Sequence, residues 1–538
     1  MRFQYARTAG TVATAATLLT SCLVLRPAQP ARADSTTLLV AADIQDGRTM
    51  DPGRSYEFTA SAMQSNCYDT LITYKGNDTI HPVPDLAVSL PTVSGGKVYT
   101  FHLRQNVRFA SGNPMTAADV VFSYRRLLYL NDNPGFLIAG ATDIKALNTY
   151  TVQISLSAPD VSFLSALADV NFAVLDSKVV IAHGGDDSVN AAKLDKATTF
   201  LDGQSAGTGA FTMTNWTRNN QIVMERNPNY WGPKPFFSKI IFQNQVDSAQ
   251  QRLLVQRGAV DAAMNINLQQ VTPLLHDSSV KVVTGNTLDL IYMGMTLNPA
   301  VSKPLSDARV RQAIRYALDY DGILKGLLKG VGTRPNGMIP VGMVGNDTAT
   351  NNSLLIHQDL AKARSLLTAA GYANGFTVNM NYDVNTTFDS VTFDPLAAKV
   401  QNDLARVGIK VNLVPQQDTI LLPAYRAQKL QMVLYNWGVD YPDPNDYAGP
   451  FSPGGGPAKR MWYVPSTDTG LMNIVARADT TTDLAKRTAL YRTVQQTWLK
   501  ESPFIGVVQP QNILVFGSNI KGYVYSPILP KNFRTLSK

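Results

Sequence analysis

Segments with the periodicity of strands and of helices alternate along the chain from Asp34 onward. Thr37 to Ala41 and Tyr99 to Leu103 have the composition of strands, whereas Leu484 to Leu499 has the length of a helix. Between Asp307 and Leu318, apolar residues recur at the spacing of one helical stripe. This alternation predicts an α/β fold. No repeat, charge block or low-complexity linker interrupts it, so we expect the domains to exchange strands.

Length and charge narrow the class of protein. A chain of 538 residues predicts about two or three domains. Hydrophobic residues make up 45% and charged residues 16%, as in globular proteins with a large core. Four of the 48 basic residues lie in the first 33 residues, which contain no acidic residue. The rest of the chain therefore has a formal net charge of 44 − 40 = +4. No Lys/Arg run is interleaved with aromatics, which argues against a nucleic-acid partner.

The first 33 residues have the features of an export signal. Arg2 and Arg7 form a basic start, Thr8 to Leu25 is apolar, and Ala31 to Ala33 provides a small-x-small cleavage site. We predict cleavage before Asp34 and a periplasmic or extracellular location.

Two other interpretations of the same segment stay open. Leu19 to Cys22 has the form of a lipobox, in which Cys22 is acylated, although Leu23 to Leu25 continue the apolar run. An uncleaved anchor is the third, but the run is short for a membrane span. All three export the protein. After cleavage before Asp34 only Cys67 remains, so an intramolecular disulfide is impossible.

The stretch from Asn436 to Pro444 is the first candidate for a binding site. It follows Gln431 to Tyr435, an apolar run that predicts a buried strand. Gly438 frees the backbone beyond that strand, and two prolines prevent a regular continuation. An aromatic side chain, Trp437, and a carboxylate are therefore held on a stiff, irregular segment.

The two acids of this stretch have different expected roles. Asp443 precedes Pro444, and Asp-Pro is a favoured start of a helix, so we predict that Asp443 caps a short helix. Asp440 precedes Tyr441 and Pro442, where no helix can begin. We predict ligand contact for Asp440, with an Asx-turn as its structural alternative.

Catalytic and metal sites have weak support. Gly203 to Gly207 fits the G-x-S-x-G pattern around Ser205, but a nucleophile elbow needs a strand before it and a helix after it. Here a strand-like run follows, so we expect an ordinary loop. The five histidines are widely separated and no CxxC or HxxxH spacing occurs, so we expect no metal and no cofactor.

The order of several motifs resembles one known family, the solute-binding proteins of ABC importers that include the dipeptide and oligopeptide binders (family 5). The motifs, each resembling a family signature, are Phe101–Phe109, Thr116–Ser123, Gly207–Phe211, Arg226–Trp231, Gln256–Asp261, Asp307–Ala313, Ala370–Tyr372 and Lys521–Val524.

The resemblance implies a two-lobed periplasmic-binding-protein-like α/β fold (class II, cluster C type). The ligand cleft lies between the lobes, and an extra domain lies in the first lobe. By similarity, domain I takes residues 34–68, 200–287 and 505–538, domain II takes 69–199, and domain III takes 288–504. Hinge bending is expected to close the lobes over the ligand.

The resemblance also implies the binding residues. Asp440 is expected to pair with the ligand's α-ammonium, Gly438 and Val439 to make main-chain contacts, and Trp437 to form a wall. The other expected contacts are the neighbours Asn436 and Tyr441 and, on the first lobe, Tyr56, Glu57 and Phe58.

The sequence therefore predicts a monomeric, non-enzymatic protein that captures short peptides and delivers them to a permease and its ATPase. Two alternatives remain open at this point. The same fold could bind an opine, a saccharide or a metal chelate, or the chain could be an exported hydrolase using Ser205.

Overall fold

The computed structural model describes residues 35–346, 355–384, 387–501, 503–529 and 531–538. The predicted export segment, including Cys22, lies outside these residues. Within them, no helix is both long enough and apolar enough to cross a membrane.

The strands of the described residues are β1 (Thr37–Ala42), β2 (Ile72–Thr73), β3 (Val83–Pro84), β4 (Thr92–Ser94), β5 (Val98–His102), β6 (Ala141–Asn148), β7 (Thr151–Leu156), β8 (Phe211–Thr217), β9 (Gln221–Arg226), β10 (Lys239–Asn244), β11 (Ala262–Ala263), β12 (Val280–Asn286), β13 (Leu290–Met295), β14 (Phe376–Asp383), β15 (Thr387–Phe388), β16 (Val391–Thr392), β17 (Ile409–Gln416), β18 (Met432–Trp437), β19 (Phe504–Val508) and β20 (Gln511–Gly517).

The α-helices of the same residues are α1 (Phe58–Cys67), α2 (Ala117–Leu130), α3 (Phe163–Ala166), α4 (Ser177–Ala182), α5 (Ala191–Leu194), α6 (Thr198–Gly203), α7 (Ser248–Gln256), α8 (Leu268–Val271), α9 (Lys303–Ser306), α10 (Ala308–Ala317), α11 (Leu360–Ala369), α12 (Phe393–Ala405), α13 (Asp418–Arg426), α14 (Asn445–Phe451), α15 (Gly456–Arg460), α16 (Thr469–Thr480) and α17 (Leu484–Glu501). Gly322–Leu327 is a π-helix, and short 3-10 helices cover Asn133–Ile138, Val170–Phe172, Thr272–Leu274 and Pro465–Thr467.

The first lobe is built on a seven-stranded sheet with the order β12-β20-β11-β1-β10-β9-β8. Its central strand β1 is parallel to both neighbours, with Leu38 opposite Ile240 and Val40 opposite Ala262. β1 is an almost continuous apolar run because both of its faces are covered. Since β20 comes from the end of the chain, distant segments meet in one sheet, as the sequence predicted.

A four-stranded antiparallel sheet, β4-β5-β7-β6, forms the extra part of the first lobe. Helix α2 packs on it and begins at a capping box: Asp119 Oδ2 accepts hydrogen bonds from the backbone N–H and the hydroxyl of Thr116, at 2.8 and 2.9 Å. This reciprocal contact satisfies donors that the first helical turn leaves free.

A buried ionic cluster joins this part to the seven-stranded sheet. Arg126 of α2 donates to both carboxylate oxygens of Asp51, at 2.7 and 2.6 Å. Its remaining donors reach Asp195 at 2.7 and 2.9 Å. All three side chains are at most 1% exposed. The loop after Asp51, which carries Tyr56 and Phe58, is thereby fixed to α2.

The second lobe contains a five-stranded sheet with the order β17-β14-β18-β13-β19. The apolar stripe predicted after Asp307 is confirmed in α10, where Val310, Ala313 and Ile314 are buried. Asp307 Oδ1 accepts the N–H of Arg309 at 2.8 Å and so caps that helix. Because β19 pairs with β13 here, we propose that domain III extends to about Val508 and does not end at residue 504.

The chain crosses between the lobes at two neighbouring places, from β12 to β13 and from β19 to β20. Buried Gln509 links the two crossovers: its Nε2 donates to Thr287 O at 2.7 Å and to Val341 O at 3.0 Å. Its Oε1 accepts the N–H of Val341 at 2.9 Å. The lobes are therefore joined by a narrow, internally bonded pair of segments, as hinge closure requires.

Candidate ligand site between the lobes

A cavity of about 370 Å³ lies between the two lobes and is called the interlobe cavity below. Its volume falls in the range of small-molecule sites. The first lobe lines it with residues near Asp43, with one face of α1 and with the segment before Lys531. The second lobe contributes Asp289, Thr387–Asp389 and Val439–Tyr441.

Strand β18 places the predicted binding segment at this cavity. The strand is confirmed, and its first half, Met432 to Leu434, is buried. Beyond it, two carboxylates hold the irregular backbone. Asp289 Oδ1 accepts the N–H of Val439 at 2.7 Å, and Asp446 Oδ2 accepts the N–H of Asp440 at 3.3 Å. The segment therefore keeps a defined shape without belonging to a sheet.

Asp440 lines the cavity and contacts the opposite lobe. Its Oδ1 accepts a hydrogen bond from the Tyr56 hydroxyl. Burial raises the pKa of Asp440 to about 7, and a hydrogen bond from Asp446 opposes that rise. Burial also raises the pKa of Asp446 well above its usual range, so that Asp446 keeps its proton and donates it to Asp440. Both of these hydrogen-bond donors are uncharged, and no Lys or Arg of the described residues forms an ion pair with Asp440, so a cation entering the cavity can take that place.

The first-lobe residues expected at the site behave differently from one another. Phe58 begins α1, lines the cavity and is 57% exposed. Its ring meets Phe388 of the second lobe edge-on, with the centroids 6.3 Å apart. Glu57 lies outside the cavity lining, where its Oε1 is 3.7 Å from Nε of Arg48. Tyr56 and Phe58 therefore face the second lobe, and Glu57 does not.

Trp437 and Asn436 are placed in the second lobe away from the lining of the cavity. The Trp437 ring meets Phe451 at 5.3 Å, and its Nε1 donates to Asp446 Oδ2 at 3.3 Å. Asn436 pairs with Ile291 within the sheet. The structure thus gives Trp437 a supporting position: it holds Asp446, which in turn holds Asp440.

Asp443 makes the predicted capping contact and also has a partner that was not predicted. The short helix exists as α14, with Pro444 at its N-cap and Asn445 as its first residue, and Asp443 Oδ1 accepts the N–H of Asn445 at 2.9 Å. Asp443 also forms a buried two-pronged ion pair with Arg487 of α17, at 2.6 and 2.7 Å. A buried arginine without this partner would be costly, so Asp443 has a second structural role beyond the cap.

Several lining residues were missed by sequence reasoning. The main ones are acidic: Asp43, Asp46, Asp169, Asp289 and Asp389, together with the cation Lys531. Asp289, for example, is the only charged residue between Lys281 and Lys303, and no local pattern marks it as part of a site. One local signal was available, because Asp389-Ser390 lies between two short β-branched or aromatic runs and forms the two-residue turn of the β15–β16 hairpin.

The G-x-S-x-G motif lies outside the interlobe cavity. It follows helix α6 and precedes strand β8, the reverse of a nucleophile elbow, so the predicted failure of that context is confirmed. Ser205 is 3% exposed and its Oγ accepts the N–H of Met213 at 2.9 Å. Among the described residues, no group of three or more His, Cys, Asp or Glu side chains could hold a metal ion.

Two α/β lobes, two adjacent crossovers and a cavity between the lobes define a solute-binding protein of the periplasmic-binding-protein type. The chain belongs to the bacterial extracellular solute-binding proteins, family 5, whose sequence model matches residues 81–459.

Two relatives are similar to this protein over most of its chain. The probable D,D-dipeptide-binding periplasmic protein DdpA of Escherichia coli K12 is 29% identical, over 93% of this chain and 94% of DdpA. The dipeptide-binding protein of the same strain is 26% identical, over 89% and 90% of the two chains.

Solved structures confirm the fold. The DppA protein of Helicobacter pylori, in complex with the peptide STSA, superposes with a TM-score of 0.75 at 23% identity, over 93% of this chain and 98% of DppA. AgaA of Agrobacterium ("A.tumefacien R10"), in complex with agropinic acid, gives 0.73 at 22% identity, over 93% and 98% of the chains. At these identities the likeness concerns the fold alone.

Proposed function

We propose that this chain is the extracytoplasmic substrate-binding component of an ABC importer, which captures short peptides between its lobes and delivers them to a membrane permease and ATPase. One observation carries the proposal: the Asp440 carboxylate lines a cavity between two lobes and is reached from the opposite lobe by Tyr56. Family membership and the dipeptide-binding names of two relatives support it.

The chemistry of the site suits a peptide amine. A buried carboxylate favours a cationic partner, and a charge-assisted hydrogen bond contributes roughly 1.5–3 kcal/mol. The contact with the ammonium does not depend on which side chains the peptide carries. The N–H of Val439 already donates to Asp289, so we expect Val439 to contact the peptide through its carbonyl oxygen. Gly438 remains the expected site of a second main-chain contact.

We predict that Asp440→Ala weakens peptide binding by about tenfold or more, because the ligand ammonium loses its counter-charge. Calorimetry with a dipeptide, and with the same dipeptide acetylated at its amine, measures this. Acetylation should weaken binding to the parent protein and have little effect on the variant. Asp143→Asn is the matched control, since Asp143 is an exposed aspartate on β6.

Unchanged dipeptide affinity in Asp440→Ala would contradict the role of Asp440. Mass spectrometry of ligands released from freshly purified protein tests the wider proposal, and a mixture of short peptides is expected. A single saccharide, opine or metal complex would replace the peptide as the ligand.

We further propose a binding role without catalysis for a monomeric protein. Turnover of fluorogenic ester or peptide substrates that disappears in Ser205→Ala would overturn the first part. The mass of the secreted N-terminus distinguishes cleavage before Asp34 from a lipid on Cys22.

A further inference from the structure

The interlobe cavity has a strongly unequal charge. Among the described residues, its lining holds one cation, Lys531, against six carboxyl groups: Asp43, Asp46, Asp169, Asp289, Asp389 and Asp440. Burial raises the pKa of four of these carboxyls, Asp169, Asp289, Asp389 and Asp440, because no cation of the described residues is close enough to offset the cost of ionising them. A neutral dipeptide brings one ammonium and one carboxylate, and therefore no net positive charge. Complementarity favours a ligand with a further positive group.

Two of these carboxylates form a close pair beside the binding segment. Asp289 lies in the first crossover, is 8% exposed and accepts the N–H of Val439. Asp389 lies at the tip of the β15–β16 hairpin, with a φ of +52°. Burial, followed by the charge of Asp289, raises the pKa of Asp389 well above its usual range.

The Oδ2 atom of Asp389 lacks a hydrogen-bond donor. It is buried, and no donor of the described residues reaches it. Two adjacent buried carboxyls are stabilised either by sharing one proton or by a cation. A hydrogen bond from protonated Asp389 to Asp289 fits the first of these, the shared proton, and a bound cation would replace that proton.

Lys531 does not supply the cation. No carboxylate of the described residues lies within 4.0 Å of its Nζ. The ammonium instead lies 5.7 Å from the centre of the Phe58 ring. Burial lowers the pKa of Lys531, although four aspartates of the cavity oppose that shift.

The surroundings of the pair suit a long basic side chain. A Cβ placed on Gly438 would lie 3.9 Å from Asp289 Oδ1, from the Phe388 ring and from the Phe58 ring. Aromatic faces and a carboxylate thus meet at one place, which is one residue away from Val439 and two from Asp440. Lysine and arginine side chains bury their methylene groups against such rings and keep the charge at the polar end.

We propose that Asp289 and Asp389 form a second cation subsite, which takes the basic side chain of a short peptide whose N-terminal ammonium is bound by Asp440. The preferred ligands are therefore short peptides containing lysine or arginine. This inference rests on the proposed function and specifies its substrate class.

Calorimetry with four dipeptides tests it: Lys-Ala, Ala-Lys and their norleucine counterparts, which keep the methylene chain and remove the charge. In at least one of the two positions, the lysine peptide should bind the parent protein about tenfold or more tightly than the norleucine peptide. Asp389→Asn should remove most of that difference, and asparagine fits the backbone here because it also tolerates a positive φ. Asp289→Asn is the second variant, and Asp143→Asn is the control.

Equal binding of lysine and norleucine peptides to the parent would overturn the subsite while leaving peptide capture intact. The same holds if Asp389→Asn and Asp289→Asn each weaken both peptides equally. Failure of all four peptides to bind the folded protein would contradict the proposed function and, with it, this inference.

Discussion

At the scale of single residues, the site depends on where charge is buried. Asp440 carries a pKa of about 7 because burial destabilises its ionised form. Asp169, in the same cavity, has its pKa raised to about 7 for the same reason. Binding of a cation should therefore release protons from these carboxyl groups.

This property predicts a pH optimum for peptide binding. Below pH 7, Asp440 is protonated and cannot pair with an ammonium, so affinity should fall about tenfold per pH unit. Above about pH 8, a peptide α-amino group with a pKa near 7.7–8.0 loses its own charge, and affinity should fall again. Calorimetry with Ala-norleucine between pH 5.5 and 9.5 measures the curve. An affinity that stays constant from pH 5.5 to 7.5 would contradict ammonium binding by Asp440.

At the scale of elements, the segment after β18 depends on helix α17. Arg487 of that helix donates to Asp443 and also to the carbonyl of Ala478, at 3.0 Å. Arg487 and Asp443 are both almost fully buried. The binding segment is thus fixed to helix α17 by the Asp443–Arg487 ion pair, and neither residue lines the cavity.

We predict that Asp443→Ala lowers the free energy of unfolding by about 3–5 kcal/mol, because it leaves the Arg487 charge buried and unpaired. Asp440→Ala should lower the free energy of unfolding far less, since burial already destabilises the ionised Asp440 side chain that it removes. Urea unfolding of both variants provides the comparison. Combining Asp443→Leu with Arg487→Met should recover much of the loss, and a double variant as unstable as Asp443→Ala would contradict this account.

Elements were easier to predict than the partners of their side chains. β18 and α10 follow from periodicities contained within a few turns or residues, and both were predicted from the sequence. The partner of Asp443 lies 44 positions away, and Asp389 pairs with a residue 100 positions before it. A single sequence contains no local signal for such contacts. The ion pair of Asp443 with Arg487 was therefore not predicted, and the acidic pair was missed.

At the scale of the whole molecule, the first lobe is held together by Arg126. This side chain joins α2 to Asp51 and Asp195, which come from distant parts of the chain. The loop after Asp51 carries Tyr56 and Phe58 to the cavity. Stability of the lobe and placement of these two aromatics therefore depend on the same ionic cluster.

We predict that Arg126→Met lowers the free energy of unfolding by about 3–5 kcal/mol, because two buried carboxylates lose their closest counter-charge and keep only the longer contacts with Arg54, at 3.8 and 3.5 Å. It should also weaken dipeptide binding, since the Tyr56 loop loses its attachment. Arg125→Met is the matched control: Arg125 is the next residue, is 40% exposed and pairs with Asp187 at 3.4 Å. Thermal unfolding and calorimetry measure both effects. Similar losses in the two variants would refute the special role of Arg126.

The position of the two crossovers bears on how a protein of this kind can evolve. Asn286 and Gln511, at the ends of β12 and β20, are paired neighbours in the first sheet. The entire second lobe is therefore an insertion between two adjacent points of one scaffold. Recombination at these points can exchange one half of the binding site, including Asp440 and Asp389, while every strand of the first sheet keeps its register. Ligand preference can thus be inherited as a module, separately from the scaffold that carries it.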